Sequence, residues 1–79
     1  MKVLYFASAQ GLANLKSESV RLKEGSSMKD MAAEMLRLHP DLKSIERTIR
    51  YSVNFEIADS DVTLHDGDEV AVLPPVAGG

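Results

Sequence analysis

The chain has no cysteine and no tryptophan, and two phenylalanines and two tyrosines are its only aromatics. Without cysteine there is no disulfide staple, no thiolate metal site and no thiol nucleophile. Its two histidines, His39 and His65, stand far apart, and a lone histidine does not make a metal centre; no metal site is expected. No apolar run approaches the ~18 residues a membrane span needs, and Met1 is not followed by a signal-peptide pattern. An excess of basic residues is also missing. Nine Lys and Arg against twelve Asp and Glu leave a net charge of −3, which gives nucleic-acid binding no electrostatic support. These absences lead to the expectation of a cytoplasmic protein with no membrane and no nucleic-acid partner. At 79 residues it forms one small domain. Such a chain buries only ~60% of its unfolded surface, so one sheet and one or two helices fit but a deep substrate cavity does not.

What is present concentrates at the end of the chain. Asp66-Gly67-Asp68 is a turn signal, Glu69 to Leu73 a short apolar strand, and then come Pro74, Pro75, Val76, Ala77, Gly78 and Gly79. Each proline fixes φ near −65° and biases the preceding residue toward extended geometry. The strand therefore feeds a stiffened arm, and residues 1–73 are expected to form the domain with 74–79 as an extended tail. Gly78 and Gly79 lack Cβ atoms, so the tip can enter a slot that other residues would block.

The remaining elements follow from periodicity. Lys2 to Ala7 reads as a strand with Val3, Tyr5 and Ala7 on one face and Leu4 and Phe6 on the other. Both faces are apolar. Either the strand is buried on both sides, or Leu4 and Phe6 belong to a partner-binding surface. Residues 11–16 suggest a short helical turn or loop, and Glu18 to Lys23 alternates as a second strand in an antiparallel hairpin with the first, Val20 and Leu22 inward. Met28, Met31, Ala32, Met35 and Leu36 form one stripe of a helix over 28–38, with Ser26 or Ser27 at its N-cap and Asp30 completing a short capping box. Methionine fills irregular gaps, so the stripe reads as core. His39-Pro40 ends the helix. A helical turn over 41–47 with Leu42 and Ile45 inward, a strand over 48–54 alternating Ile49, Tyr51 and Val53 against Arg50, Ser52 and Asn54, a bulged or turned continuation over 55–58, a short edge segment over 62–64 and the final strand complete the chain.

That order predicts an α+β fold of the ubiquitin-like β-grasp type: a mixed sheet, one main helix on one face, and a protruding C-terminal Gly-Gly tail. The last strand returns to the centre of the sheet, where it pairs in parallel with the first through a right-handed crossover. Val3, Tyr5, Val70 and Val72 then lie beneath the helix. Leu4, Phe6, Ala71 and Leu73 form an apolar patch on the open face beside the tail, with Ile57 at its margin. Such a patch on so small a domain marks an interface. Phe6→Ala and Leu73→Ala are expected to cost more in binding than in folding, and Ile57→Ala less in binding than either.

The last fourteen residues also resemble a known family, the small subunit of molybdopterin synthase. Gly67-Asp68-Glu69-Val70-Ala71 followed by Pro74-Pro75-Val76-Ala77-Gly78-Gly79 matches that family's ending, and the opening Val3-Leu4-Tyr5-Phe6-Ala7 and His39-Pro40-Asp41-Leu42 are similar to its members. Many relatives carry an aromatic where Leu73 stands. The resemblance implies a sulfur carrier of molybdenum cofactor biosynthesis. In that cycle an E1-like ATP-dependent enzyme adenylates Gly79, and a sulfur donor converts the acyl-adenylate to a thiocarboxylate. The tail then enters the large catalytic subunit, in a heterotetramer, and gives sulfur to cyclic pyranopterin monophosphate. Gly79, with Gly78, is thus the reacting terminus. Leu4, Phe6, Ile57, Ala71, Leu73, Pro74, Pro75, Val76 and Ala77 are the implied partner contacts. The chain binds no cofactor stably and has no catalytic site of its own, ATP being consumed by the activating enzyme. Two alternatives share the adenylation step: a thiamine-pathway sulfur carrier, and a protein modifier joined through Gly79 to a target lysine.

Overall fold

The computed structural model of the chain describes residues 1–74; the expectations for Pro75, Val76, Ala77, Gly78 and Gly79 lie outside the described residues. The strands are β1 (Lys2–Tyr5), β2 (Ser17–Ser19), β3 (Arg50–Val53), β4 (Glu56–Ala58) and β5 (Glu69–Leu73); the helices are α1 (Ser8–Ala13) and α2 (Met28–Leu38), with a 3-10 helix at Pro40–Ile45. One five-stranded sheet has the order β2-β1-β5-β3-β4. β1 and β5 pair in parallel, Val3 opposite Val70 and Tyr5 opposite Val72, and β5 occupies the centre as expected. The β1–β2 pair is antiparallel.

α2 has the predicted bounds because its local signals agree. Ser27 Oγ accepts from the Asp30 amide at 3.2 Å and Asp30 Oδ2 accepts from the Ser27 amide at 3.0 Å, satisfying donors the helix cannot. Met28, Met31 and Met35 are buried against Val3, Tyr5, Val70 and Val72 in one core cluster. Glu34 and Arg37 pair on the outer side. Leu42 and Leu64 close the core, and Ile45, as predicted, packs at its edge.

Several boundaries move. β1 stops at Tyr5, not at Ala7, because the chain turns there: the Ala9 amide donates to the Phe6 carbonyl at 3.0 Å, with Ala7 at φ 49°, ψ −131°. α1 consequently begins at Ser8, three residues before the helical turn or loop expected over 11–16, and is capped by Asn14 in the left-handed region. β2 is confined to Ser17–Ser19, yet Val20 and Leu22 still pack inward as their alternation predicts. β3 starts at Arg50, since the Ile45 carbonyl accepts from both Thr48 and Ile49 and the chain is still turning there. Within the stretch at 55–58, Glu56–Ala58 is a strand in its own right. Asn54 and Phe55 make a two-residue turn and β4 pairs antiparallel with β3. The edge segment expected at 62–64 contributes only a single bridge, Thr63 to Ser27.

Candidate functional site: the open sheet face and the tail root

Strand register assembles one face of the site. Leu4 is opposite Ala71, Ala71 opposite Ser52, and Ser52 opposite Ile57, so these four side chains form a row across the sheet on the side away from α2. Leu73 is opposite Arg50 at the end of β5 from which the tail departs. Phe6 stays beside that strand, its amide donating to the Val72 carbonyl at 3.3 Å. Val3, Tyr5, Val70 and Val72 face the core as the alternation predicts, since all four are buried.

The patch differs from the expected one in its relief. Ile57 and Phe6 are the exposed members, at 64% and 43%, while Leu4 and Leu73 are half-buried. Ala71, expected in the exposed patch, is buried: a methyl group on the central strand, flanked in register by Leu4 and Ser52, is shaded by its neighbours. Pro74, expected as the first residue of the free arm, is also buried; an apolar ring with no rotamer entropy to lose is readily covered. Three residues on or beside this face were not among the predicted contacts. Ser52 is buried on it, Arg50 adjoins the tail root, and Phe55 projects from the β3–β4 turn with 88% of its surface exposed. The alternation of β3 already placed Arg50 and Ser52 opposite the core, and that was the available signal.

Polar anchors hold β5, and hence the tail root, in direction. Asp68 accepts from the His65 amide at 2.8 Å and from Asn54 Nδ2 at 2.9 Å, and these bonds hold its carboxyl below the usual range. Asn54 Oδ1 accepts from the Glu69 amide at 3.0 Å, and the Lys2 amide donates to the Asp68 carbonyl at 3.0 Å. Gly67 supplies the positive φ, 86°, that the turn needs. Glu24 accepts from the Asp66 amide at 2.8 Å and from His65; these contacts lower its own pKa, and Glu24 in turn raises that of His65. On the helix side, Glu18 Oε2 lies 2.5 Å from both the Tyr5 hydroxyl and His39 Nε2. Burial first, then the hydrogen bond and charge of Glu18, push the Tyr5 phenol up. Tyr5 also meets His39 edge-on, centroids 5.5 Å apart, so His39 serves as a clamp between the helix end and β1.

No group of three or more His, Asp or Glu among the described residues could hold a metal. Both histidines are engaged by glutamates, His39 by Glu18 and His65 by Glu24. No described helix is long and apolar enough to cross a membrane. The arrangement offers a partner a shaped apolar face and an aimed strand end.

Known proteins share this arrangement along the whole chain. The molybdopterin synthase sulfur carrier subunit of Chlamydomonas reinhardtii is 36% identical, the match covering 100% of this chain and 98% of that one. The human protein of the same name is 30% identical over 100% and 93%. Among solved structures, SAMP1 from Haloferax volcanii superposes with a TM-score of 0.88 at 26% identity, covering 99% and 97%. The fold is that of the ubiquitin-like β-grasp proteins. Residues 3–79, from the first core valine through the terminal glycines, match the ThiS family, and the chain belongs to that family.

Proposed function

We propose that this chain is the sulfur carrier of molybdopterin synthase, acting in molybdenum cofactor biosynthesis through the carboxylate of Gly79. The observation that carries this reading is the likeness, over essentially the full length of both chains, to proteins named as that carrier subunit. The open face beside the tail root supports it, because a carrier must present its end to other proteins.

The chemistry asks little of this chain and much of its tail. A carboxylate is a poor electrophile until one oxygen becomes a good leaving group. An E1-like enzyme supplies this by joining Gly79 to AMP, with pyrophosphate released from ATP. Sulfide-level sulfur released by a donor then attacks the carbonyl carbon, the C–O bond to AMP breaks, AMP departs, and Gly79 carries a thiocarboxylate. The large catalytic subunit receives the tail in a heterotetramer, and the sulfur passes to cyclic pyranopterin monophosphate. In this reading the chain itself holds no cofactor and works in the cytoplasm beside its partners. Pro74 and Pro75 restrict the arm before it is bound, which reduces the ordering cost of ~1–2 kcal/mol per residue.

Deleting Gly79 tests the reading. The variant is expected to melt with the parent and to yield neither thiocarboxylate, by intact mass spectrometry, nor molybdopterin on co-expression with the large subunit. Undiminished molybdopterin production by the truncated chain would refute the assignment. A branched peptide between Gly79 and a target lysine would instead identify a protein modifier, and restored thiamine synthesis would identify the thiamine-pathway carrier.

A further inference from the structure

We propose that Phe55, at the tip of the β3–β4 hairpin, is an anchor for the large subunit of molybdopterin synthase, extending the open-face interface to the end of the sheet away from the tail. This deepens the sulfur-carrier reading and rests on it.

The argument begins with a residue that suits neither its backbone nor its solvent. Val53 and Glu56 are paired, so Asn54 and Phe55 are the whole loop, and their φ values are 51° and 72°. Positive φ at both central residues is the type I′ pattern, for which Asn followed by Gly is preferred. Asn54 obeys this preference and adds two side-chain bonds, to Asp68 and to the Glu69 amide. Phe55 does not. A bulky side chain at positive φ is strained, and glycine there would remove the strain. Burial does not offset it, because Phe55 is 88% exposed. The ring therefore costs the free chain both conformational energy and exposed apolar surface, and neither cost is recovered until a partner covers it.

Position identifies the partner. Phe55 and Ile57 are the two most exposed large apolar residues described, and they stand two residues apart on one hairpin. Ile57 ends the row that runs across the open face from Leu4, so Phe55 lies at the corner where that row meets the hairpin tip. The Asn54 amide donates to the Glu69 carbonyl, and Glu69 is four residues before Leu73 on β5. At ~3.3 Å per residue the tip is about 13 Å from the tail root. A standard interface of ~800 Å² per partner spans roughly 30 Å, so a subunit that receives the tail reaches Phe55 in the same contact.

The test uses the full chain and the purified large subunit from the same source. Phe55→Gly is expected to raise Tm by about 4–8 °C as the strain is relieved, and to weaken binding at least about fivefold in a calorimetric titration. Phe55→Tyr, which keeps the ring and the strain, is expected to match the parent in both. A Phe55→Gly chain that binds within twofold of the parent, or whose Tm does not rise, overturns the proposal. So does light scattering that shows self-association of the parent abolished by Phe55→Gly while the heterocomplex is unaffected. Phe6→Ala separates the two levels of the argument. If it weakens binding and Phe55→Gly does not, only the anchor is refuted; if the parent fails to bind the large subunit at all, the carrier reading falls and the anchor with it.

Discussion

Replacing Ile57 by alanine separates binding from folding more cleanly than the same change at Phe6. Ile57 keeps 64% of its surface exposed in the free chain, so about two-thirds of its apolar burial is still available to a partner. Fully burying an aliphatic side chain of this size contributes about 1.5–3 kcal/mol. Two-thirds of that is about 1–2 kcal/mol, or a 5- to 30-fold rise in Kd for the large subunit. The third already buried contributes about 0.5–1 kcal/mol to folding, a fall in Tm of about 2–8 °C in a domain of this size. Phe6 carries the opposite weighting. At 43% exposure it has buried more of its ring on folding than it retains for association. Phe6→Ala therefore lowers stability at least as much as affinity, whereas alternation alone suggested a smaller effect on folding than on binding and Ile57 as the lesser contact. Calorimetric titration of each variant against the large subunit, beside thermal melts, measures both quantities. The reasoning is refuted if Ile57→Ala binds within twofold of the parent, since the surface then stays uncovered in the complex.

Other perturbations test other parts of the structure. Leu73→Ala, half-buried at the tail root, is expected to raise Kd several-fold and to lower Tm by a few degrees; unchanged affinity would place the contact elsewhere. Tyr5→Phe removes the donor to Glu18 from a buried site and is expected to cost about 1–2 kcal/mol, read as a Tm lower by several degrees with affinity unchanged. The His65–Glu24 contact gives a pH dependence with a definite sign. Its folded pKa lies above the ordinary value of about 6.5, so the stabilisation is complete below that value and is lost as pH rises through the raised one. Melts across about pH 6–8 should show a shallow decline that His65→Gln removes; an identical profile in the variant would refute the linkage.

The sequence by itself determined the elements whose signals are local. The bounds of α2 follow from Ser27, Asp30, the methionine stripe and Pro40, all within a few residues of the features they set. The faces of β1 and β5 follow from strict alternation, which is why Leu4 and Ala71 were correctly placed on the face away from Val3 and Val70. The terminal pattern at Pro74-Pro75 and Gly78-Gly79 was legible as a family ending, because those residue types serve a reaction carried out by partners. What only the tertiary structure decided depends on residues distant in the chain. The Tyr5–Glu18–His39 clamp joins positions 13 and 21 apart, and no periodicity encodes it. The shading of Ala71 required the neighbours on both sides of the central strand. The β3–β4 hairpin was hidden because Phe55 occupies a turn position that local preference reserves for glycine, and the pairing of β3 with β4 and β5 holds it there against that preference.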